Sequence, residues 1–108
     1  MKSAYVHQNF ADDMRREDRF AVLFLARMRE PGRSAFEVKI INLSASGFCA
    51  KTSYWLTEEG QVWLIIPRLE AREARLIWQR DFVCGCEFTR PLHPAVFDHL
   101  ARNFGFGG

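Results

Sequence analysis

Three arginines near the start of the chain carry the first side-chain chemistry in this sequence. Arg15, Arg16 and Arg19 occur together in the stretch DDMRREDRF. A guanidinium group presents a planar fork of donors that suits phosphate oxygens and the O6 and N7 acceptors of guanine. The same spacing also fits the solvated face of a helix, on which Asp12 pairs with Arg16. The cluster alone therefore leaves an anion site and a plain surface helix open.

A second polar cluster lies in the stretch NLSASG, which contains Asn42, Ser44 and Gly47. The Asn side chain offers a donor and an acceptor, and the Ser side chain offers a hydroxyl. Gly47 lets the backbone bend and lets a planar ligand approach closely. The alternative is an ordinary hairpin turn, because Asn, Ser and Gly each favour bends.

Alternating apolar residues predict the strands that must position these two clusters. Phe20, Val22, Phe24, Ala26 and Met28 share one face at a period of two. Similar runs recur along the chain and are separated by turn signals such as Pro31-Gly32 and Arg80-Asp81. The predicted strands are 20–30, 34–44, 47–55, 61–67, 74–80 and 82–89.

The last two predicted strands carry specific expectations about their faces. Strict alternation places Leu76 and Trp78 on one face of the fifth strand. It also places Phe82 on the same face as Cys84 and Cys86 in the sixth strand. We therefore expect small buried cysteines and an inward Phe82.

The C-terminal part of the chain has a different period. Residues 93–104 carry Val96, Phe97, Leu100 and Phe104 at helical spacing, and Pro94 falls in the first turn, where proline is tolerated. Short, evenly spaced strands favour a closed barrel, because closure removes exposed sheet edges. The predicted fold is all-β with a C-terminal helix, a six-stranded antiparallel β-barrel.

Composition excludes several classes of protein. The 108 residues are enough for one domain, and the net charge of +2 is too mild for wholesale binding to DNA, RNA or an acidic membrane. A general oligonucleotide-binding barrel would need a broader basic and aromatic groove. The first residues lack the apolar stretch of a signal peptide, so we expect none, and no apolar run in the sequence is long enough to span a membrane. We therefore expect a cytoplasmic protein.

Neither a metal site nor an active site is evident among the reactive side chains. Cys49, Cys84 and Cys86 are odd in number, which argues against a disulfide framework. They have no matching Cys or His pair for a metal, and His93 and His99 do not share a helix face. The G-x-S-x-G elbow of many hydrolases is missing around Ser44. We expect no enzyme activity, no metal and no cofactor.

The predicted antiparallel barrel allows the two polar clusters to lie at the same end. The arginines immediately precede the first strand, and the turn with Asn42 and Ser44 joins the second strand to the third. An arginine arm can then fold over this turn and close on an anionic ligand that carries a base.

The two clusters, in this order, resemble the signature of the PilZ domain family. That signature is R-x-x-x-R before the first strand and D/N-x-S-x-x-G between the second and third strands. Arg15 to Arg19 match the first motif in full, and Asn42 to Gly47 match the second. A tryptophan in the fifth strand, a G-x-E-F strand and a C-terminal helix extend the resemblance to roughly residues 14–104.

The resemblance implies a receptor for cyclic di-GMP. In such domains the arm arginines contact phosphates and guanine edges, which assigns Arg15 and Arg19 to the ligand, with Arg16 as a helper. This ligand carries two phosphates and two guanines, which matches arginine forks by charge and by edge geometry. Because Met14 precedes the first arginine, at a place linked in the family to ligand stoichiometry, one or two ligand molecules remain open.

The resemblance also assigns roles to the turn and to the fifth strand. Asn42 and Ser44 would hold a guanine, and Gly47 would keep the turn open. Trp78 lies where some members place a side chain against the ligand, although the face it shares with Leu76 also allows a core position.

Two hypotheses follow for the function. In the first, residues 1–13 form a flexible arm, residues 14–104 form the PilZ domain and residues 105–108 form a tail. Cyclic di-GMP then orders the arginine arm, and the domain signals to a partner protein. In the second, the domain is a protein-interaction module of the same fold that does not bind nucleotide. The motif pair favours the first, because non-binding domains tend to lose it.

Overall fold

Alternation of apolar and polar residues along six segments produces a closed antiparallel barrel, as predicted. The computed structural model describes residues 19–57 and 60–105. Within them the strands follow the order β1-β2-β3-β6-β5-β4 around the barrel, and one helix follows the last strand. The elements are β1 (Arg19–Arg29), β2 (Phe36–Ser44), β3 (Gly47–Lys51), β4 (Gln61–Ile65), β5 (Arg72–Arg80), β6 (Val83–Phe88) and α1 (Pro94–Phe104).

The interior of the barrel is filled by the inward side chains of every strand. In β1 the predicted face is confirmed, because Val22, Phe24, Ala26 and Met28 are all buried. Cys84 and Cys86 are both buried in β6, as their spacing predicted. These inward side chains form one hydrophobic core, which favours a binding site on the outer face of the barrel or at its ends. The other fully buried large side chains include Ile40, Leu43, Phe48, Leu56, Val62, Leu64 and Leu100.

Helix α1 packs against the first half of β1. Its N-cap is His93, whose Nδ1 accepts a hydrogen bond from the Ala95 backbone, and Pro94 lies in the first turn as predicted. The ring of Phe97 meets Phe20 edge-on at a centroid distance of 5.4 Å. The helix therefore covers the apolar residues at the start of β1, next to the predicted arginine motif.

The hairpin between β5 and β6 turns one residue later than predicted. Arg80 pairs with Val83, so the two turn residues are Asp81 and Phe82, with φ angles of 49° and 68°. Positive φ at both central positions is the geometry of a type I′ turn, which matches the twist of the flanking strands. The expectation that Phe82 faces inward with Cys84 is wrong, because Phe82 is 69% exposed at the tip of this hairpin.

The described part of the loop between β3 and β4 is held by two polar side chains, the buried Glu30 and the half-buried Gln79. β3 ends at Lys51 instead of reaching residue 55, and the loop that follows is fixed by Glu30 and Gln79. Glu30 accepts hydrogen bonds from Thr57 N at 2.7 Å and from Tyr54 Oη at 3.2 Å. Burial acts to raise the pKa of Glu30, but these bonds outweigh it and hold the pKa below its ordinary value.

Candidate functional site

The β1–β2 pairing brings the end of the arginine motif to the polar turn. Arg19 lies directly opposite Ser44 in the register, and Ala21 lies opposite Asn42. The last residue of the arginine motif, Arg19, therefore lies beside the polar turn at one end of the barrel, as expected. Arg15 and Arg16 lie outside the described residues, and their assignment stays a prediction.

A β-bulge in β2 turns Asn42 toward the outer face of the barrel. Ile40 pairs with Ala50, whereas Asn42 pairs with Cys49, so Ile41 is an extra residue in β2. Ile40 and Ala50 are buried in the core, and Cys49 is half-exposed. Cross-strand partners share a face, and Asn42 therefore lies outside with Cys49. Without the bulge, strict alternation from Ile40 would place Asn42 inside.

A second bulge, in β5, does the same for Trp78. Leu76 pairs with Cys86, whereas Trp78 pairs with Gly85, so Ile77 is the extra residue. Cys86 faces the core, and the outer face of β6 at this level belongs to Gly85. The predicted common face of Leu76 and Trp78 is therefore wrong. Leu76 is buried in the core, and Trp78 lies on the outer face.

These pairings place five residues side by side across five neighbouring strands. We name this set the outer row, and from β1 to β5 it consists of Ala21, Asn42, Cys49, Gly85 and Trp78. Cys49 and Gly85 carry no motif signal, and sequence reasoning missed them because their place in the row depends on the two bulges. Bulges are enriched beside functional sites, where they re-aim side chains.

The indole of Trp78 lies directly over the backbone of Gly85. A Cβ atom placed on Gly85 would lie 2.2 Å from Trp78 Nε1 and 2.4 Å from Cε2. Only a residue without a side chain leaves this space. Gly85 thus lets the indole lie flat across β6 and brings it one strand closer to Asn42.

Ser44 organises the polar turn from within. Its side chain is fully buried, and Oγ accepts hydrogen bonds from Gly47 N at 3.1 Å and from Ser46 N at 3.2 Å. The resemblance assigned Ser44 to the guanine. The geometry instead favours a positioning role, in which the hydroxyl fixes the turn that presents Asn42.

Gly47 is needed because the backbone of β6 passes close to it. A Cβ atom on Gly47 would lie 2.4 Å from the carbonyl oxygen of Cys86. Because this oxygen belongs to the backbone, no side-chain rotation could relieve the clash. The glycine therefore allows β3 to pair tightly with β6 at the start of the strand. This role concerns strand packing and differs from the predicted role of keeping the turn open for a ligand.

Asn42 presents a buried acceptor atom at this site. Asn42 Oδ1 is buried, and no hydrogen-bond partner for it is found among the residues that the structure describes. A buried acceptor without a partner costs about 1–3 kcal/mol. Such an atom is satisfied when a ligand donates a hydrogen bond to it, as the N1 and N2 groups of guanine can.

The polar turn is also tied to the segment that leads into α1. Ala45 O accepts a hydrogen bond from Leu92 N, and Ser46 O accepts one from Phe88 N, both at 2.8 Å. Leu92 is buried. The backbone of the turn is therefore fixed against β6 and against the entry of the helix.

The charges beside the turn do not oppose an anion. Glu87 lies directly opposite Gly47, and Arg75 Nη2 donates to its carboxylate at 3.1 Å. This ion pair neutralises the described carboxylate nearest the turn in the register.

Contact with Cys84, together with burial, raises the pKa of Cys86 well above its ordinary value, so this thiol stays neutral.

Comparison with known proteins identifies the family. The PilZ domain profile matches residues 13–104, which is most of the chain. This protein therefore belongs to the PilZ domain family, whose members are generally cyclic di-GMP receptors and act as receptor or adaptor modules, not as enzymes. No curated protein gives a significant match to the chain. In the part of the chain that the structure describes, no helix is long and apolar enough to cross a membrane, and no three His, Cys, Asp or Glu side chains form a metal cluster.

Proposed function

We propose that this protein is a receptor for cyclic di-GMP, which binds on the outer row beneath the arginine motif. The observation that carries the proposal is the convergence of Asn42 and Trp78 on one outer level of the barrel, with Arg19 paired to the adjacent Ser44. Asn42 Oδ1 is the acceptor for a guanine edge, and the arginines supply forks for phosphates and for the second guanine.

The dimensions of the outer row favour a ligand with two bases. The indole of Trp78 reaches over Gly85, and two strand spacings separate Gly85 from Asn42. At about 4.8 Å per spacing the span is ~10 Å. One base held by Asn42 cannot also lie against Trp78, whereas a dinucleotide can contact both.

The described residues divide into ligand contacts and supports. Asn42 and Trp78 contact the ligand, and Ser44 and Gly47 position the turn that holds Asn42. The backbone of Arg19 lies opposite Ser44, which is beside the proposed position of the ligand. The proposals that Arg15 and Arg16 join it, and that the arm becomes ordered on binding, concern residues outside those the structure describes.

Isothermal titration calorimetry with cyclic di-GMP tests the proposal, with GTP and a linear guanine dinucleotide as controls. We expect saturable binding in the micromolar range or tighter, about −8 kcal/mol or better. Arg19→Ala should weaken it by about 1–3 kcal/mol. Arg27→Ala is the matched control, because Arg27 is an exposed arginine at the opposite end of the same strand, and it should leave binding unchanged.

The alternative, a PilZ-fold interaction module that does not bind nucleotide, has a distinct outcome. In that case the calorimetric titration shows no heat of binding up to high micromolar ligand, although the protein remains folded. With the receptor function we also propose a bacterial, cytoplasmic setting and a downstream protein partner.

A further inference from the structure

Phe82 is held in a backbone conformation that is unfavourable for a bulky residue. It lies at the second turn position of the β5–β6 hairpin with φ of 68°, and 69% of its surface is exposed. Gly or Asn is the usual residue at this position, and a left-handed conformation costs other residues about 1–2 kcal/mol. An exposed ring gains no core packing that would offset this strain. Strain of this kind is often found at binding sites.

Trp55 is a second exposed aromatic residue, and its neighbours in the loop are fixed. It is 68% exposed, whereas Leu56 beside it is buried in the core. Gln79 holds the Leu56 backbone at both polar atoms, at 3.0 Å to N and 2.6 Å to O. On the other side, Tyr54 stacks on Phe36 with a centroid distance of 4.2 Å. Trp55 is therefore presented to solvent by a well-anchored loop.

Phe82 lines two hollows at the end of the barrel where the β5–β6 hairpin turns. The first, which we name the aromatic cleft, lies between Trp55 and Phe82 and has a volume of about 260 Å³. The second, the lysine hollow, is lined by Leu25, Lys39, Lys51 and Phe82 and has a volume of about 340 Å³. A hydrogen bond of 2.9 Å from Thr52 N to Phe82 O fixes the ridge between them.

The lysine hollow carries positive charge that its surroundings do not balance. Lys39 and Lys51 lie directly opposite each other on β2 and β3, an arrangement of like charges that is unfavourable. No ion pair of either lysine is found within residues 19–57 and 60–105.

The nearby carboxylates do not fully balance the two lysines. Asp81 is paired with Arg80 at 3.4 Å. Glu37, which also lines the hollow, lies opposite Arg27 in the register, but no ion pair between them is found among the described residues. The hollow therefore carries two lysines against one carboxylate and keeps an excess of positive charge.

We infer that the aromatic cleft and the lysine hollow together bind an acidic segment of a partner protein that carries apolar anchor side chains. The anchors fill the hollows on the two sides of Phe82, and carboxylates of the same segment pair with Lys39 and Lys51. Charge complementarity selects this occupant. A second copy of this chain in a symmetric pair would bring these lysines against their own counterparts. The inference does not depend on nucleotide binding, because the outer row contains none of these residues.

NMR titration of the full chain with short synthetic peptides tests the inference. The probe has two apolar residues flanked by Asp and Glu, and the matched peptide has the same apolar residues flanked by Lys and Arg. We expect the acidic peptide to shift the backbone amides of Lys51, Trp55 and Phe82 in a saturable manner, and the basic peptide to leave them unchanged. Equal binding of both peptides, or shifts confined to another face, would overturn the inference.

Variants separate a binding role from a structural one. Phe82→Gly should weaken the acidic peptide by about tenfold or more, as loss of an aromatic anchor does, while Tm stays the same or rises because glycine tolerates positive φ. Combined Lys39→Glu and Lys51→Glu substitutions should reverse the peptide preference. Arg90→Glu is the charge-reversal control and should have no effect, because Arg90 is exposed and follows the opposite end of β6 by two residues.

Two further results would count against the inference. Sedimentation that shows the wild-type protein to be dimeric, and the Phe82→Gly variant to be monomeric, would assign the surface to a second copy. Loss of cyclic di-GMP binding in the double lysine variant would assign the lysines to the nucleotide site instead. Nucleotide binding that is unchanged in this variant, together with reversed peptide preference, supports two separate surfaces.

Discussion

Replacement of Asn42 by alanine should stabilise the free protein and weaken its binding of cyclic di-GMP. Most buried polar side chains are retained because their hydrogen bonds stabilise the fold, and their removal destabilises it. Asn42 differs because its Oδ1 is buried without a hydrogen-bond partner among the described residues. The substitution removes this desolvated oxygen, and with it the acceptor that we assign to a guanine.

The size of the effect follows from two opposing contributions. Relief of a buried, unsatisfied acceptor is worth about 1–3 kcal/mol. Loss of side-chain packing costs about 1 kcal/mol, the value of roughly one buried methylene. The net gain is about 1 kcal/mol in the free energy of unfolding, which corresponds to a rise in Tm of about 4 °C for a domain of this size. Binding should weaken at least tenfold, by about 1.4 kcal/mol or more.

Ser44→Ala is the control, because Ser44 belongs to the same turn but uses its side chain fully. Its hydroxyl satisfies the backbone N–H groups of Ser46 and Gly47, and its removal should lower the free energy of unfolding by about 2 kcal/mol. Thermal and urea denaturation without ligand measure both variants, and calorimetry measures binding. The reasoning is refuted if Asn42→Ala destabilises the protein as much as Ser44→Ala does.

Three further perturbations test separate parts of the structure. Gly47→Ala should lower the free energy of unfolding by about 1–3 kcal/mol, because the new Cβ meets Cys86 O, and wild-type stability in urea denaturation would contradict this contact. Gly85→Ala should displace the indole of Trp78, which a change in tryptophan fluorescence and weaker cyclic di-GMP binding would reveal; an unchanged spectrum would argue against the stacked position. Glu30 has a folded-state pKa below its unfolded value near 4.5, so its contribution to stability is complete above that pH and is lost as the pH falls through the folded pKa. Urea denaturation across this acidic range should show a steeper loss in the wild type than in Glu30→Gln, and parallel curves would contradict the assignment.

The architecture was accessible from the sequence because the core positions follow regular periods. The inward face of β1, from Val22 to Met28, and the helical spacing around Leu100 both reflect burial, and burial is what hydrophobic patterns record. The two polar motifs were also visible, because their residue types and order are specific. The patterns therefore recorded the core and the two motifs of the candidate site.

The faces of the site residues could not be predicted, because each follows a bulge that has no sequence signal. Ile41 and Ile77 are the extra residues, and both are β-branched side chains that favour regular strands. Bulges are often marked by glycine, and neither position has one. Strict alternation therefore assigned Trp78 to the face of Leu76, which the structure contradicts.

The hairpin tip was mispredicted for a related reason. Arg80-Asp81 was the polar pair and the natural choice for a turn, but the extra residue Ile77 shifts the pairing of β5 by one position. Arg80 then pairs with Val83, and the turn falls on Asp81 and Phe82. An aromatic residue at positive φ contradicts turn preferences, and a pattern of residue types cannot anticipate such a position.

The bulge at Ile77 affects both surfaces that we propose, and this links them physically. It turns Trp78 outward into the outer row and brings the next residue, Gln79, opposite the buried Cys84. From there Gln79 forms hydrogen bonds with the backbone of Leu56, the residue of the β3–β4 loop that directly follows Trp55. A ligand that moves the indole of Trp78 acts on the backbone that positions Gln79. Because Trp78, the proposed nucleotide contact, and Gln79, which holds the loop beside Trp55, are adjacent in the chain, the bulge gives a short route between the two proposed surfaces.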